Sequence, residues 1–332
     1  MNERTRRLAV PMLVIAVLLA FPLVVTGFYL EFTTKVMILA IFALSLELLV
    51  GATGLVSLGH AAFYGIAAYA TVLLSPQYAP ANFFWLLPAA VACSAGYALV
   101  IGALSLRTRG VYFIMVTLAF AQMAYYVFHD TKLGGGTDGI YLNVKPDVAL
   151  FGLKLVDLGK PLVLYYVVFA CLAIVFAFLA VLLESRFGRA LAGIKSNEQR
   201  MRAAGFPTFV YKLVAFTLAG ALAGLAGFLV AVKDGFVNPE MLSWHESGAV
   251  LLMLILGGMG RLSGAVLGAF AFALLQLFFQ WDAVFGAAAK HWQLFLGGTI
   301  IACVAFMPSG LIGLPAQWRA WRARRRAGAA HA

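Results

Sequence analysis

The sequence predicts an all-α polytopic membrane protein with about ten transmembrane segments. Of its 332 residues, 63% are hydrophobic and only 11% are charged, whereas soluble domains are about 45–50% apolar and about 25% charged. The apolar residues are gathered into runs, and several of these reach the length of about 20 residues that a helix needs to cross a bilayer. The net charge of +11 does not indicate nucleic-acid binding, because the basic residues are scattered between these runs.

The ten segments follow from the positions of the apolar runs and their glycine-rich interruptions. They cover residues 8–30, about 36–50, about 60–74, 84–106, 111–128, 162–183, 210–232, 247–256, 265–281 and 292–307. The first run is longer than a signal-peptide core and is therefore interpreted as a retained span. The run at 247–256 is too short for a complete span, so it is either tilted and broken or re-entrant.

The placement of charged residues supports this count. With a cytoplasmic N-terminus, all 15 arginines fall on the cytoplasmic side, and the opposite side holds only lysines, at positions 35, 132, 145, 154, 160, 233 and 290. A missed span would mix the two groups, since it would invert every later loop. The count therefore predicts a multi-pass membrane protein. Both termini, the segment 184–211 and the basic tail at about 316–332 are predicted to be cytoplasmic.

Five segments precede residue 161 and five follow it. An odd number per half gives the halves opposite orientations, as inverted repeats require. Each half also contains a glycine-rich interruption, GATGLVSLG at residues 51–59 and GGMGRLSG at residues 257–264. The sequence therefore predicts two inverted five-segment halves within a single domain covering residues 1–332.

The segment 184–211 is the only long polar stretch between two apolar runs in the second half of the chain. Ser196 and Gln199 fit a capping box at the start of a helix, and Gly205 followed by Pro207 fits its end. A short helix from about 197 to 204 is predicted, outside the bilayer. It is either part of a solvated connection or a docking element for a soluble partner.

Few residues could support chemistry. No G-x-x-x-x-G-K-[ST] motif is present, so the chain is not expected to bind ATP through a P-loop. The three cysteines lie in apolar segments without paired spacing, and no histidine has a metal-site spacing. We therefore expect neither a catalytic nor a metal site.

Glu47 is the one acid placed inside a predicted membrane segment. An ionisable group there is costly and usually faces a cavity or a partner. The alternative is a carboxylate near the cytoplasmic end of its helix that snorkels or is protonated. Thr137 and Asp138, in an exterior glycine-rich stretch, either line an entrance or close a turn. The spacing of Gly220, Gly224 and Gly227 indicates close helix packing.

Five motifs occur in one order along the chain: GLVSLGHAAFYGIAAYA at 54–70, SLRTRGVYFIMVTLAFAQM at 105–123, GGTDGI at 135–140, FGRALAGIKSNEQRMRAAGFPTFVYKLVAF at 187–216 and GGMGRLSGAVLGAF at 257–270. Together they resemble the LivM-type permease subunits of branched-chain amino-acid ABC transporters. The resemblance implies a location in the bacterial inner membrane. The resemblance covers nearly the whole chain. One departure is Glu47, where the family commonly has Asn, and the extra carboxylate is expected to alter what the pathway accepts.

The resemblance implies roles for two groups of residues. The cytoplasmic loop of that family docks into separate ATP-binding subunits, which implies a coupling role for Ser196, Asn197, Glu198, Arg202, Ala203, Ala204 and Gly205. The expected substrate pathway involves Glu47, Ser57, His60, Thr137 and Asp138. The chain itself is expected to hold no cofactor, since ATP is bound by the partner subunits.

The resulting hypothesis is a permease subunit of an ATP-driven importer of branched-chain or related amino acids. Its implied partners are two ATP-binding subunits, a second homologous permease and an external solute-binding protein. One alternative is an ABC permease for urea or amides. Another is an ion-coupled secondary carrier of small polar solutes, which predicts several intramembrane charged residues. A membrane enzyme is disfavoured by the lack of any nucleophile–base or metal cluster.

Overall fold

The computed structural model describes residues 18–22, 25, 27–150, 153–307 and 309–314. Most of the predicted first segment, 8–30, and the whole basic tail, 316–332, lie outside these residues. Residues 18–22 are helical, and Leu18 O accepts a hydrogen bond from the Tyr165 hydroxyl at 2.7 Å. Residues 28–30 already belong to the next helix, which begins after Gly27.

Helices dominate the described part of the chain. In order they are α1 (Phe28–Glu47), α2 (His60–Leu74), α3 (Phe83–Ser105), α4 (Val111–Asp130), α5 (Pro161–Glu184), α6 (Arg186–Ser196), α7 (Glu198–Ala203), α8 (Thr208–Asp234), α9 (Trp244–Gly257), α10 (Leu262–Phe279), α11 (Asp282–Phe285) and α12 (Trp292–Phe306).

Seven helical stretches of the described residues are long and apolar enough to cross a membrane. They are α1 with its continuation to Thr53, α3, α4, α5, α8, α10 and the stretch Ala288–Gly313 that contains α12. Two further apolar helices, α2 and α9, are shorter. The prediction of an all-α polytopic membrane protein is confirmed.

The first glycine-rich interruption breaks a transmembrane helix, but later than the sequence indicated. α1 continues through a π-helical turn, Leu48–Thr53, so the helical stretch is 26 residues, or about 39 Å at 1.5 Å per residue. Gly54 ends it with φ 74°, in the left-handed region that favours glycine. The non-helical connection therefore covers residues 54–59, and α2 begins at His60.

The second interruption follows α9. This helix has 14 residues, or about 21 Å, which is less than the roughly 30 Å hydrocarbon core of a bilayer. It begins at Trp244, three residues before the predicted start. Glu246 consequently lies in its first turn.

In the part of the chain that the structure describes, four short strands form two antiparallel pairs between the helices. β1 (Ile140–Tyr141) pairs with β4 (Phe236–Val237), and β2 (Asp147–Leu150) pairs with β3 (Leu153–Asp157). The sequence analysis did not predict them. The first pair joins the connection after α4 to the end of α8, which lies about 95 residues later in the chain, so no local sequence pattern specifies it.

The centre of the bundle is a close contact of α8 with α2 and α3, as the glycine spacing predicted. An added Cβ would stand 2.3 Å from Ala98 Cβ at Gly220, 2.6 Å from Ser94 Cβ at Gly224 and 2.0 Å from the Tyr64 carbonyl oxygen at Gly227. The Ser94 hydroxyl lies 2.8 Å from the carbonyl oxygens of both Phe63 and Gly220. Small residues thus bring the three helix backbones together.

Candidate functional site

The five residues expected along a substrate pathway do not form one cluster. Glu47, Ser57 and His60 lie around the break between α1 and α2. Thr137 and Asp138 are exposed in a 3₁₀ turn. The neighbouring Gly134 carbonyl accepts a hydrogen bond from Tyr69 near the other end of α2, and Tyr69 lies nine residues, or about 13 Å of helix, from His60.

His60 is completely buried at the start of α2. Its Nε2 lies 2.8 Å from the Ser45 hydroxyl, and that hydroxyl donates to the Phe42 carbonyl at 2.6 Å. Nδ1 has no partner among the described residues. The imidazole stacks on the Phe42 ring, with the two ring centroids 5.6 Å apart. In this conformation the His60 side chain has no contact with solvent.

Ser57 is buried in the connection between α1 and α2. Its hydroxyl accepts the Gly59 N–H at 3.3 Å. The Ala61 N–H, in the first turn of α2, donates to the Ser247 hydroxyl of α9 at 2.9 Å. The two short helices thus meet through the first turn of each.

Glu47 is the last residue of α1 and is 3% exposed. Its carboxyl group folds back onto the next turn, where a Cβ added at Gly51 would stand 2.1 Å from Oε1. The backbone N–H groups of Gly260 and Arg261 lie beside this carboxyl group, and the Lys195 ammonium attracts it. The side chain does not reach solvent, so the snorkelling half of the alternative is wrong, whereas its other half, a protonated carboxyl group, stays a prediction.

The cytoplasmic segment contains two helices where one was predicted. α6 precedes α7 directly, and its C-terminal residue is Ser196. The prediction that Ser196 is the N-cap of a capping box is therefore wrong. The Ser196 hydroxyl instead donates to the Gly193 carbonyl at 2.9 Å. The N-cap of α7 is Asn197, whose Oδ1 accepts the Arg200 N–H at 2.9 Å.

The end of α7 is as the sequence predicted. Gly205 has φ +87°, and its N–H donates to the Arg202 carbonyl at 2.9 Å, while the Phe206 N–H donates to the Met201 carbonyl at 3.0 Å. This pair of bonds is the Schellman motif, in which glycine supplies the left-handed residue after the helix.

Glu198 anchors α7 to α8. Its Oε1 accepts hydrogen bonds from Lys212 Nζ at 2.9 Å and Thr208 Oγ1 at 3.1 Å, and it pairs with Arg202. Burial alone would raise the pKa of Glu198, but the hydrogen bonds and charges of Lys212, Arg202 and Thr208 outweigh it and hold that pKa below its usual value. Glu198 and Arg202 are therefore engaged within the chain and fix the orientation of α7.

An exposed apolar surface follows the polar face of α7. We call it the apolar patch, and it consists of Ala203, Ala204, Phe206, Phe209 and Val210. Phe206 and Phe209 are each 38% exposed and Val210 is 52% exposed. The two alanines were predicted to take part in coupling, and the other three residues were not. Phe206 carries the sequence signal for such a role, since it lies in the polar segment 184–211 and exposed apolar side chains mark contact sites. Phe209 and Val210 belong to the first turn of α8, which is itself a candidate membrane span.

The comparisons with known proteins agree with one another. A family model described as the permease component of the branched-chain amino acid transport system matches residues 28–304. The high-affinity branched-chain amino acid transport system permease protein LivM of Salmonella typhimurium is 33% identical over 322 residues, which cover 91% of this chain and 73% of the relative. Its Escherichia coli K12 counterpart is 32% identical, with 91% and 74% covered.

A more distant similarity covers about a third of each chain. The autoinducer 2 import system permease protein LsrC of Escherichia coli is 36% identical over 123 residues, which cover 35% of this chain and 36% of the relative. No solved structure matches this chain.

Proposed function

Because this chain belongs to the family of branched-chain amino acid transport permease components and is the permease subunit of an ABC importer, we propose that it carries branched-chain or related amino acids. An external binding protein delivers them. The substrate class comes from the relatives that match along nearly the whole chain. Family membership also disfavours the ion-coupled carrier, which would work without a separate ATPase.

The proposed topology has ten membrane segments in two inverted halves, with both termini in the cytoplasm. It is supported by the arginine segregation and by the two short helices, α2 and α9, each of which adjoins a glycine-rich break. In this topology α6, α7 and the apolar patch lie on the cytoplasmic side.

ATP-driven closure of separate ATPase subunits would enter the bundle through α7 and the apolar patch. The observation that carries this proposal is the combination of a firmly oriented helix with exposed apolar side chains directly after it in the chain. The Asn197 cap, the Schellman motif and the Glu198 network fix α7 on α6 and α8. A docking element has to be held in this way, because a loose segment would move without moving the bundle.

A second permease subunit is proposed to cover the outer face of α4. α4 and α5 bury the same small share of their residues, yet α5 is the most apolar of the seven candidate spans and α4 the least. The exposed face of α5 carries aliphatic and aromatic residues such as Ile174, Phe178 and Val181, as a lipid contact requires. The α4 face carries Tyr112, Met115, Met123 and Tyr126 around the polar Gln122, which suits a protein interface or a wet pathway.

The substrate pathway is proposed to run along this face and past the break between α1 and α2. Ser57, His60 and Glu47 would border it after the sealed break opens, and Thr137 with Asp138 would lie at its external mouth. The unpartnered Nδ1 of buried His60 supports this, since such a group usually has a role beyond packing.

The test is transport by a complete assembly in proteoliposomes. This chain, a second permease, two ATPase subunits and the binding protein should together take up labelled leucine, isoleucine or valine with ATP, and the assembly without this chain should not. Unlabelled urea, acetamide and autoinducer 2 serve as competitors. The proposed substrate class would be contradicted if one of these solutes abolished the ATP-dependent uptake and unlabelled branched-chain amino acids did not.

A further inference from the structure

Lys195, which the sequence analysis did not single out, connects the cytoplasmic segment to the broken transmembrane helix. Its Nζ donates to the Gly51 carbonyl at 2.7 Å and lies 3.4 Å from the Val50 carbonyl. Its aliphatic stem passes over Gly54, where an added Cβ would stand 3.4 Å from Lys195 Cγ. The ammonium thus binds carbonyl groups that the end of the helix leaves without partners, and its charge suits the negative end of the helix dipole.

Glu47 joins the same helix end to the second glycine-rich connection. Its carboxyl group rests on Gly51 and lies beside the N–H groups of Gly260 and Arg261, which precede α10. A carboxyl oxygen at that position suits the N–H groups at the start of α10, which have no partner within that helix. The turn around Gly51 is therefore held by the cytoplasmic segment through Lys195 and by the second half of the chain through Glu47.

Lys195 is also fixed to α7. It is the penultimate residue of α6, and the cap of α7 follows two residues later. The Asn197 N–H donates to the Gly193 carbonyl at 3.0 Å. The Met201 side chain of α7 lies over Gly193, where an added Cβ would stand 2.8 Å from its sulfur. These contacts hold α7 directly against the end of α6. A displacement of α7 therefore also displaces Lys195 and its ammonium group.

From this geometry we infer that Lys195 is a positioning residue for transport: it transmits movement of α7 to the break between α1 and α2 by holding the Gly51 and Val50 carbonyls. This inference rests on the proposed docking of ATPase subunits at α7. Pulling the ammonium away would free the π turn at Leu48–Thr53 and the connection that carries Ser57. The sealed His60 region would then open or close with the ATPase cycle.

The test measures substrate molecules transported per ATP hydrolysed by the purified, reconstituted assembly. Lys195→Met keeps the aliphatic stem and removes the ammonium, and Lys195→Arg keeps the charge and the donors. Arg189→Met is the matched control, because Arg189 is an exposed residue of α6 and the substitution removes the same charge. We expect Lys195→Met to hydrolyse ATP with at least a tenfold lower transport ratio, with substantial recovery in Lys195→Arg and no change in Arg189→Met.

Other outcomes overturn the inference. If Lys195→Met transported as many substrate molecules per ATP as the wild type, Lys195 would only cap a helix. The same conclusion would hold if less of the complex assembled but this ratio were unchanged. If Lys195→Met does not assemble, Lys195→Gln is measured with the same criterion, since it keeps N–H donors without the charge. Failure of the wild-type assembly to transport amino acids would refute the proposed function instead, so the two failures are distinguishable.

Discussion

Replacing Gly205 separates docking from folding. Its φ of +87° is strained for any residue with a Cβ, but nothing in the chain lies within 4 Å of the position where that Cβ would stand. The cost within the chain is therefore conformational alone, about 1–2 kcal/mol for the left-handed region. This lowers the population of the native turn about 5- to 30-fold relative to alternatives without a steric clash.

Gly235 provides the matched control. It ends α8 with φ +65°, also has open space around its missing Cβ, and is proposed to lie on the external side. Gly205→Ala and Gly235→Ala thus impose similar backbone strain at two helix ends. If α7 docks an ATPase, Gly205→Ala should reduce ATP-dependent uptake and ATPase co-purification at least fivefold, and Gly205→Val more, while membrane insertion stays at the wild-type level.

The assay compares uptake and the ATPase:permease ratio of affinity-purified complexes, both normalised to permease in the membrane. If α7 is the docking element, Gly235→Ala should keep most of the uptake and most of the ATPase association. Wild-type uptake and ATPase association in Gly205→Val would refute it, and the cytoplasmic segment would then be only a solvated connection. Equal losses in both alanine variants would attribute the effect to general strain.

Three further predictions concern topology, Glu47 and the α8 glycines. Single cysteines at Ser196 and Lys132 should react with membrane-impermeant reagents from opposite sides, Ser196 from the cytoplasm; reaction from the same side would remove the ten-segment topology. Glu47→Gln keeps the size of the side chain and removes its charge, so uptake rate or selectivity should change more than assembly does; unchanged uptake with reduced expression would make Glu47 purely structural. In Gly227→Val the new Cβ would stand 2.0 Å from the Tyr64 carbonyl oxygen, so the cost should exceed the roughly 1–3 kcal/mol of ordinary overpacking and remove the protein from the membrane; normal amounts of folded Gly227→Val would contradict the close packing of α2 on α8.

Features encoded locally were predictable from the sequence. Apolar runs gave α3, α4, α5, α8, α10 and α12 to within a few residues, because hydrophobic length is set by the bilayer itself. The start of α1 was predicted about eight residues too late, since Phe28 was assigned to the preceding span. Gly205 and Pro207 gave the end of α7, and Gly220, Gly224 and Gly227 gave a packing face. Each of these depends on neighbours in the chain or on one physical constraint.

Features that depend on distant contacts were not predictable. The Lys195 ammonium binds carbonyls about 145 residues earlier in the chain, and a lysine in a basic segment looks like a solvated charge. The capping box at Ser196 was wrong because α6 extends to that residue, and Asn197 competes successfully as the cap. The β1–β4 pair and the carboxyl group of Glu47 beside Gly260 likewise bring together residues that no local pattern connects.

The central claim is that the cytoplasmic segment couples this permease to a separate ATPase. A photo-crosslinking amino acid at Phe206, in the apolar patch, tests it in the transporting assembly. The same residue at Phe178, on the exposed face of α5, is the control. We predict a light-dependent adduct between this chain and an ATPase subunit from position 206 and none from position 178. An assembly that transports amino acids but gives no ATPase adduct from position 206 would contradict the claim.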